Sequence, residues 1–297
     1  MVRCNLGGAL DYRMPMSHVD RPLPNFKHPP VVEVALSVQF DTLPMRAAHV
    51  GLLWSEFKDN FPKLQDKPPL PEVFETFGPP ASQQPRIEAR FLDMYPLPRC
   101  WFLNDKEDEL IQIQQDRFIH NWRKVGDEGA DEYPRYETIR KNFVDELRRF
   151  QAFVEMHNLG TIEANQCEIT YVNRISPGGV WSGHGQLDHV LTIISGETSD
   201  NFLPTPEDIK VAVRYIIKDS HDKSIGRLHL RAEPTFTDPE NEPTFTLTLT
   251  ARGKPLGPGA KGVMDFLDIG REQIVRGFAS ITTQRMHDKE VWERQDV

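Results

Sequence analysis

One order of apolar patterns occurs twice in this chain, and that repetition constrains the fold more than any single motif. Strand, helix, three strands and a long helix can be read from about residue 31 to 158, and again from about 165 to 285. Strand-like stretches repeat every two residues and helical ones every 3.6, so each unit must bury one strand face under helix stripes. Two such units on a shared sheet predict an α+β fold: duplicated β-α-β-β-β-α units forming a large antiparallel sheet with helices packed on one face. Residues 1–29, punctuated by Pro15, Pro22, Pro24 and Pro29, read as an irregular N-terminal arm. Residues 30–297 read as a single domain built from two pseudo-repeats, about 30–160 and 161–290. The halves share no obvious residue identity, so the repeat rests on element order alone.

In the first unit, Val32, Val34, Leu36, Val38 and Phe40 alternate with more polar residues and predict a half-buried strand. Val50, Leu53, Trp54, Phe57 and Phe61 form a helix stripe that Pro62 closes. Lys63 to Pro85 carries Pro68-Pro69, Pro71 and Pro79-Pro80 and is expected to be a loop without regular structure. Strands are expected at Ile87–Met94 and Arg99–Leu103, and a long one at Leu110–Arg123. A helix follows Tyr133-Pro134, with Ile139, Phe143, Leu147, Phe150 and Val154 on one side.

The second unit opens with a strand through Cys167, Ile169, Tyr171 and Asn173. A short helix is expected over Leu187, Val190, Leu191 and Ile194. Strands at Ile209–Lys218, Arg227–Glu233 and Thr244–Arg252 come next, and a final helix carries Val263, Phe266, Leu267, Ile274, Phe278 and Ile281 on one stripe.

Composition narrows the partners. Lys and Arg total 35 against 44 Asp and Glu, a formal net charge of −9, which argues against nonspecific binding to nucleic acid. Three cysteines without Cys-x-x-Cys spacing suggest neither a disulfide framework nor a zinc site. No metal or cofactor motif is present: His184 and His189 lack metal-ligand spacing, and no glycine run has the lysine of a phosphate-cradling loop. The start lacks a secretory apolar core and no stretch has the length of a membrane span, so cytoplasmic residence without membrane association is the expectation.

Chemistry is best sought on the strand face turned away from the helices. With Val211, Val213, Tyr215, Leu228, Leu230, Leu247 and Leu249 inward, the alternation turns Arg214, Arg227, His229, Arg231, Thr248 and Arg252 outward. This is a cationic, hydroxyl-rich patch on an acidic protein, suited to a phosphate, nucleotide or acidic segment. The plain alternative is the solvated face of an antiparallel sheet. A second group, Asn121 and Arg123 with Asn173 and Arg174, is expected to converge near the seam between units, where paired amides and guanidiniums would hold a carboxylate or phosphate. No residue is nominated as catalytic.

Pro29-Pro30-Val31-Val32-Glu33-Val34-Ala35-Leu36, Asp116-Arg117-Phe118 to Asn121-Trp122-Arg123, Tyr171-Val172-Asn173-Arg174-Ile175, and the ending through His287 and Trp292-Glu293-Arg294 together resemble a sporadically distributed family of uncharacterised bacterial proteins. The resemblance spans nearly all of the chain beyond the arm. It implies an accessory role, in defence or a toxin system, and no catalytic residues. The expected function is a non-enzymatic binding or regulatory protein offering its polar sheet face to a protein partner or an anionic small ligand. An enzyme acting on a phosphorylated or nucleic-acid substrate through these cations and His229 or His184 is one alternative; a homodimeric scaffold joined at an edge strand is another.

Overall fold

The computed structural model describes residues 22–77, 97–126, 133–195, 202–237 and 239–295. In chain order these form β1 (Val31–Phe40), α1 (Ala47–Phe57), β2 (Lys63–Lys67), β3 (Arg99–Leu103), β4 (Glu109–Gln114), β5 (Arg117–Arg123), α2 (Arg135–Met156) and β6 (Ala164–Ile175). A short 3₁₀ helix, His184–His189, precedes β7 (Val211–Lys218), β8 (Ser224–Phe236), β9 (Pro243–Gly253), α3 (Gly259–Ile281) and α4 (Gln284–His287).

All nine strands join one sheet in the order β2-β3-β4-β5-β1-β6-β9-β8-β7, and every pairing is antiparallel. The α+β class with helices on one face is therefore what the strand alternation requires. Read outward from the β1–β6 pair, each side places its last strand beside its first and then runs backwards through its meander. The sides are unequal, with five strands against four, and an 11-residue helix where the other side has a six-residue 3₁₀ turn.

Phe102, Ile111, His120, Leu36, Ile169, Ala251 and Leu228 occupy matching positions on successive strands and are all buried. Above this face, Phe57 of α1 meets Phe102, and Phe143 and Phe150 of α2 flank Phe118. α3 lies closest to the sheet. A Cβ at Gly270 would stand 2.7 Å from Ile169 and 3.1 Å from Ala251, so only glycine permits that approach. One continuous apolar core underlies all three helices.

Three expectations need correction. Leu110–Arg123 is two strands: β4 and β5 form a hairpin turning at Gln115-Asp116. The turn lacks an Asn-Gly or Asp-Gly pair, and its trace in the sequence is the polar run Gln114-Gln115-Asp116-Arg117. Lys63–Lys67 is a strand, pairing with β3 at the sheet edge; being largely exposed, it shows no apolar alternation. The helix expected through Ile194 is the 3₁₀ turn ending at His189, with Leu187, Val190 and Leu191 buried as expected. The strand expected at 87–94 and residues 1–21 of the arm lie outside the described residues.

Gly226 and Gly253 face each other across β8 and β9 beneath the Phe266 ring, and a methyl on either would overlap that ring. Gly253→Ala should cost about 1–3 kcal/mol by overpacking. Urea unfolding of the variant measures it, and unchanged stability would refute this packing.

Candidate functional site

Strand alternation places Glu33, Ser37 and Gln39 of β1 on the face away from the helices, with Gln112 and Gln114 of β4 and Arg117 and Asn121 of β5. Gln166, Glu168 and Thr170 of β6, Arg252, Thr250 and Thr248 of β9, and Arg227, His229 and Arg231 of β8 continue that face. Arg214 of β7 stands opposite His229. The outward set read from the sequence therefore does share one face.

That face is not open. The segment Leu70–Phe77 crosses it at right angles to the strands as a strap, held from below by side chains. Gln114 grips Leu70 twice, accepting its N–H and donating to its carbonyl, each at 2.8 Å. Arg117 donates to the Pro71 carbonyl at 2.9 Å and to Gln39, which accepts the Val73 N–H at 3.0 Å. Gln166 accepts the Glu75 N–H. Six neighbouring strands, β4-β5-β1-β6-β9-β8, lie under this run and span about 24 Å. Leu70–Glu75 is therefore near full extension, and long side chains bridge the remainder. Pro71, with Pro68 and Pro69 just before the strap, suits this geometry, because each proline favours extended backbone and removes an N–H that would need a partner.

Glu75 ends the run. Its carboxylate, 5% exposed, meets the Arg227 guanidinium and His229 Nε2, with Arg252 at 3.5 Å. Arg227 also donates to the Thr76 carbonyl at 3.1 Å and lies over the Phe77 ring. Arg252 is shared with Glu168 of β6. Burial works to raise the Glu75 carboxyl, but His229, Arg227 and Arg252 outweigh it and hold the group below the usual carboxylate range. A cavity of about 270 Å³ remains under the strap, bordered by Arg117, Glu168 and Arg252. Beyond Glu75, Arg214 and Arg231 are exposed, and neither has an acidic partner among the described residues. Thr248 lies opposite Arg231.

The second predicted group does not converge. Asn121 is on the strap face, where it donates to Glu33 at 2.5 Å and accepts from Gln112 at 2.7 Å. Arg123 donates to the Glu107 carbonyl at 2.7 Å and lies over Trp101. Asn173 points to the opposite face and donates to the Leu247 carbonyl at 3.0 Å. Arg174 is exposed near Pro30, whose carbonyl accepts its N–H. The register adds to the separation: through Ala35, Asn121 lies level with Thr170, three residues short of Asn173.

Two histidines singled out by sequence, His184 and His189, are engaged by main-chain carbonyls away from the Glu75 cluster. His184 Nε2 sits between the Thr235 and Thr244 carbonyls at 3.0 and 2.9 Å, and His189 Nδ1 contacts the Val180 carbonyl. Among the described residues, no group of three or more His, Cys, Asp and Glu is placed to hold a metal ion, and no helix is long and apolar enough to cross a membrane. Sequence reasoning missed Glu75, Gln39, Gln114, Gln166 and Arg117. Their signal is an amide at polar positions of β1, β4 and β6, and the Val73, Glu75, Phe77 alternation after the prolines. No known protein family matches this chain, and no curated protein does.

A carboxylate held low by its partners stabilises docking above its ordinary range, and the contribution is lost as pH falls through the docked value. Spin labels at the exposed positions Phe74 and Arg231 should therefore move apart on acidification. Glu75→Gln should give a larger share of the long distance at neutral pH, by loss of charged hydrogen bonds worth about 1.5–3 kcal/mol each, and should flatten the pH response. One short distance under all conditions would contradict the ion cluster as the clasp.

Proposed function

We propose that this chain is a non-enzymatic binding protein whose polar sheet face reads an extended acidic segment of a partner protein, with the strap as resident occupant. One observation carries the reading: amides and a guanidinium from four adjacent strands, β4-β5-β1-β6, address the main chain of an extended segment, and a cationic cradle takes the one of its two carboxylates that is buried, Glu75, while Glu72 is exposed. This is how a peptide is recognised independently of most of its side chains, with one charged position setting register. Arg214 and Arg231, beyond the cradle, supply attraction for further acidic residues of the partner. The tethered strap competes with any incoming segment and lowers apparent affinity by the fraction of time it is docked.

His229 is engaged with Glu75, so the geometry favours recognition over turnover on phosphorylated or nucleic-acid substrates. A homodimer joined at sheet edges is disfavoured because β2 carries Lys63 and Lys67 and β7 carries Arg214 and Lys218, charges that resist edge pairing. Membership of the sporadic bacterial family, and with it an accessory defence role, is proposed on the sequence resemblance alone.

A fluorescent peptide with the sequence of residues 67–77 tests the reading. It should bind the Glu75→Gln chain at least about tenfold more tightly than the unaltered chain, since each 1.4 kcal/mol of lost competition is a factor of ten. Adding Arg227→Ala, or replacing by glutamine the glutamate of the peptide that corresponds to Glu75, should abolish the gain. No binding to the Glu75→Gln chain would overturn the proposal.

A further inference from the structure

On the opposite side of the sheet, a cavity of about 450 Å³ opens between the arm, the start of α2, the middle of α3 and β6. Its size is that of pockets that enclose small organic molecules. The walls are chiefly apolar and aromatic: Phe26, Pro29, Ile274, Val275 and Phe278 line it, with the rings of Tyr133 and Tyr136.

Three polar groups converge inside. The Tyr133 and Tyr171 hydroxyls contact each other at 2.9 Å. Two hydroxyls bring two hydrogens and one bond between them uses one, so one hydrogen is left without an acceptor among the described residues. Burial pushes both phenols above their ordinary range, which keeps them as neutral donors. Arg271 of α3 stands beside Tyr171 with its guanidinium over the Tyr136 ring, 4.9 Å from the centroid. Its Nε is buried with no partner among the described residues. Its one acidic contact among the described residues is Glu137 at 3.3 Å, whose side chain is 70% exposed. The first turn of α2, Arg135 to Glu137, also lines the cavity, and its cap position, Pro134, offers no side-chain bond; the main-chain N–H groups there add a weak preference for negative charge.

The buried donors of Arg271 and the tyrosine pair, at one end of an aromatic chamber that Asn173 also lines, favour a ligand with an acceptor head and a flat apolar body. We propose that this cavity binds a small aromatic monocarboxylate, its carboxylate received by Arg271 and the Tyr133–Tyr171 hydroxyl pair and its ring held among Tyr136, Phe26 and Phe278. The site is on the helix side and is independent of the strap face.

Saturation-transfer NMR on the full chain, with indole-3-acetate, 3-phenylpropanoate and 2-naphthoate, their primary amides, and inorganic phosphate as probes, tests the assignment. At least one acid should bind, its amide at least about tenfold more weakly, while phosphate alone should not compete. Arg271→Met and Tyr171→Phe should each weaken the acid by about tenfold or more, as loss of a charge-assisted or buried hydrogen bond implies. Val275→Trp, which fills the chamber from a half-buried position, should abolish binding while leaving the thermal transition in place, and Arg252→Ala on the other face should leave binding unchanged. Failure of all three acids, equal binding of acid and amide, or binding that survives Val275→Trp would each overturn the proposal.

Discussion

Main-chain groups that leave a β-ladder still need hydrogen-bond partners, and the strap meets that demand with side chains of the sheet beneath it. Prolines at 68, 69 and 71 keep the segment out of a strand and reduce the donors it presents. Gln114, Gln39 and Gln166 satisfy the N–H groups of Leu70, Val73 and Glu75 and the Leu70 carbonyl. An amide can accept and donate at once, which is why Gln114 closes a two-bond ring on Leu70 and Gln39 serves Val73 and Arg117 together. Remove this coupling, and the polar face of β1, β5 and β6 would be left bare, with Arg117 exposed to water and the Glu75 cradle unfilled.

The two sheet faces divide the physical labour. The helix side is packed by aromatic side chains and close glycine contacts, as at Gly270 and beneath Phe266, where one added methyl is felt. The strap side is held by hydrogen bonds and ion pairs over a residual cavity, a looser contact whose strength depends on pH and salt. Such an interface exchanges occupants far more readily than a packed core. The tyrosine-lined cavity combines the two characters, with an apolar chamber and a few convergent donors at one end.

Local periodicity made much of this legible. Alternation in β1 and β6–β9 identified the outward cations, and the stripes of α2 and α3 identified the core. The hairpin at Gln115-Asp116 escaped because its turn carries no glycine or asparagine, and β2 escaped because an exposed edge strand has nothing to alternate. Asn173 was misplaced although its own strand marks it: it shares the alternation of Cys167, Ile169 and Tyr171 and so turns to the helix side, away from Asn121. Glu75 lay beyond reach for a deeper reason: it meets Arg227 across 152 residues, a partnership set by sheet order rather than by any neighbour in the chain.

Amide hydrogen exchange read residue by residue by NMR tests the central claim most directly. The N–H groups of Val73 and Glu75, accepted by Gln39 and Gln166, should exchange about a hundredfold or more slowly than that of Phe74, which has no acceptor among the described residues; docking worth about 2.7 kcal/mol gives that ratio. Gln39→Leu should release Val73 selectively. Uniformly fast exchange across residues 72–76 in the unaltered chain would show that the strap is not held on the sheet, and the account would fail with it.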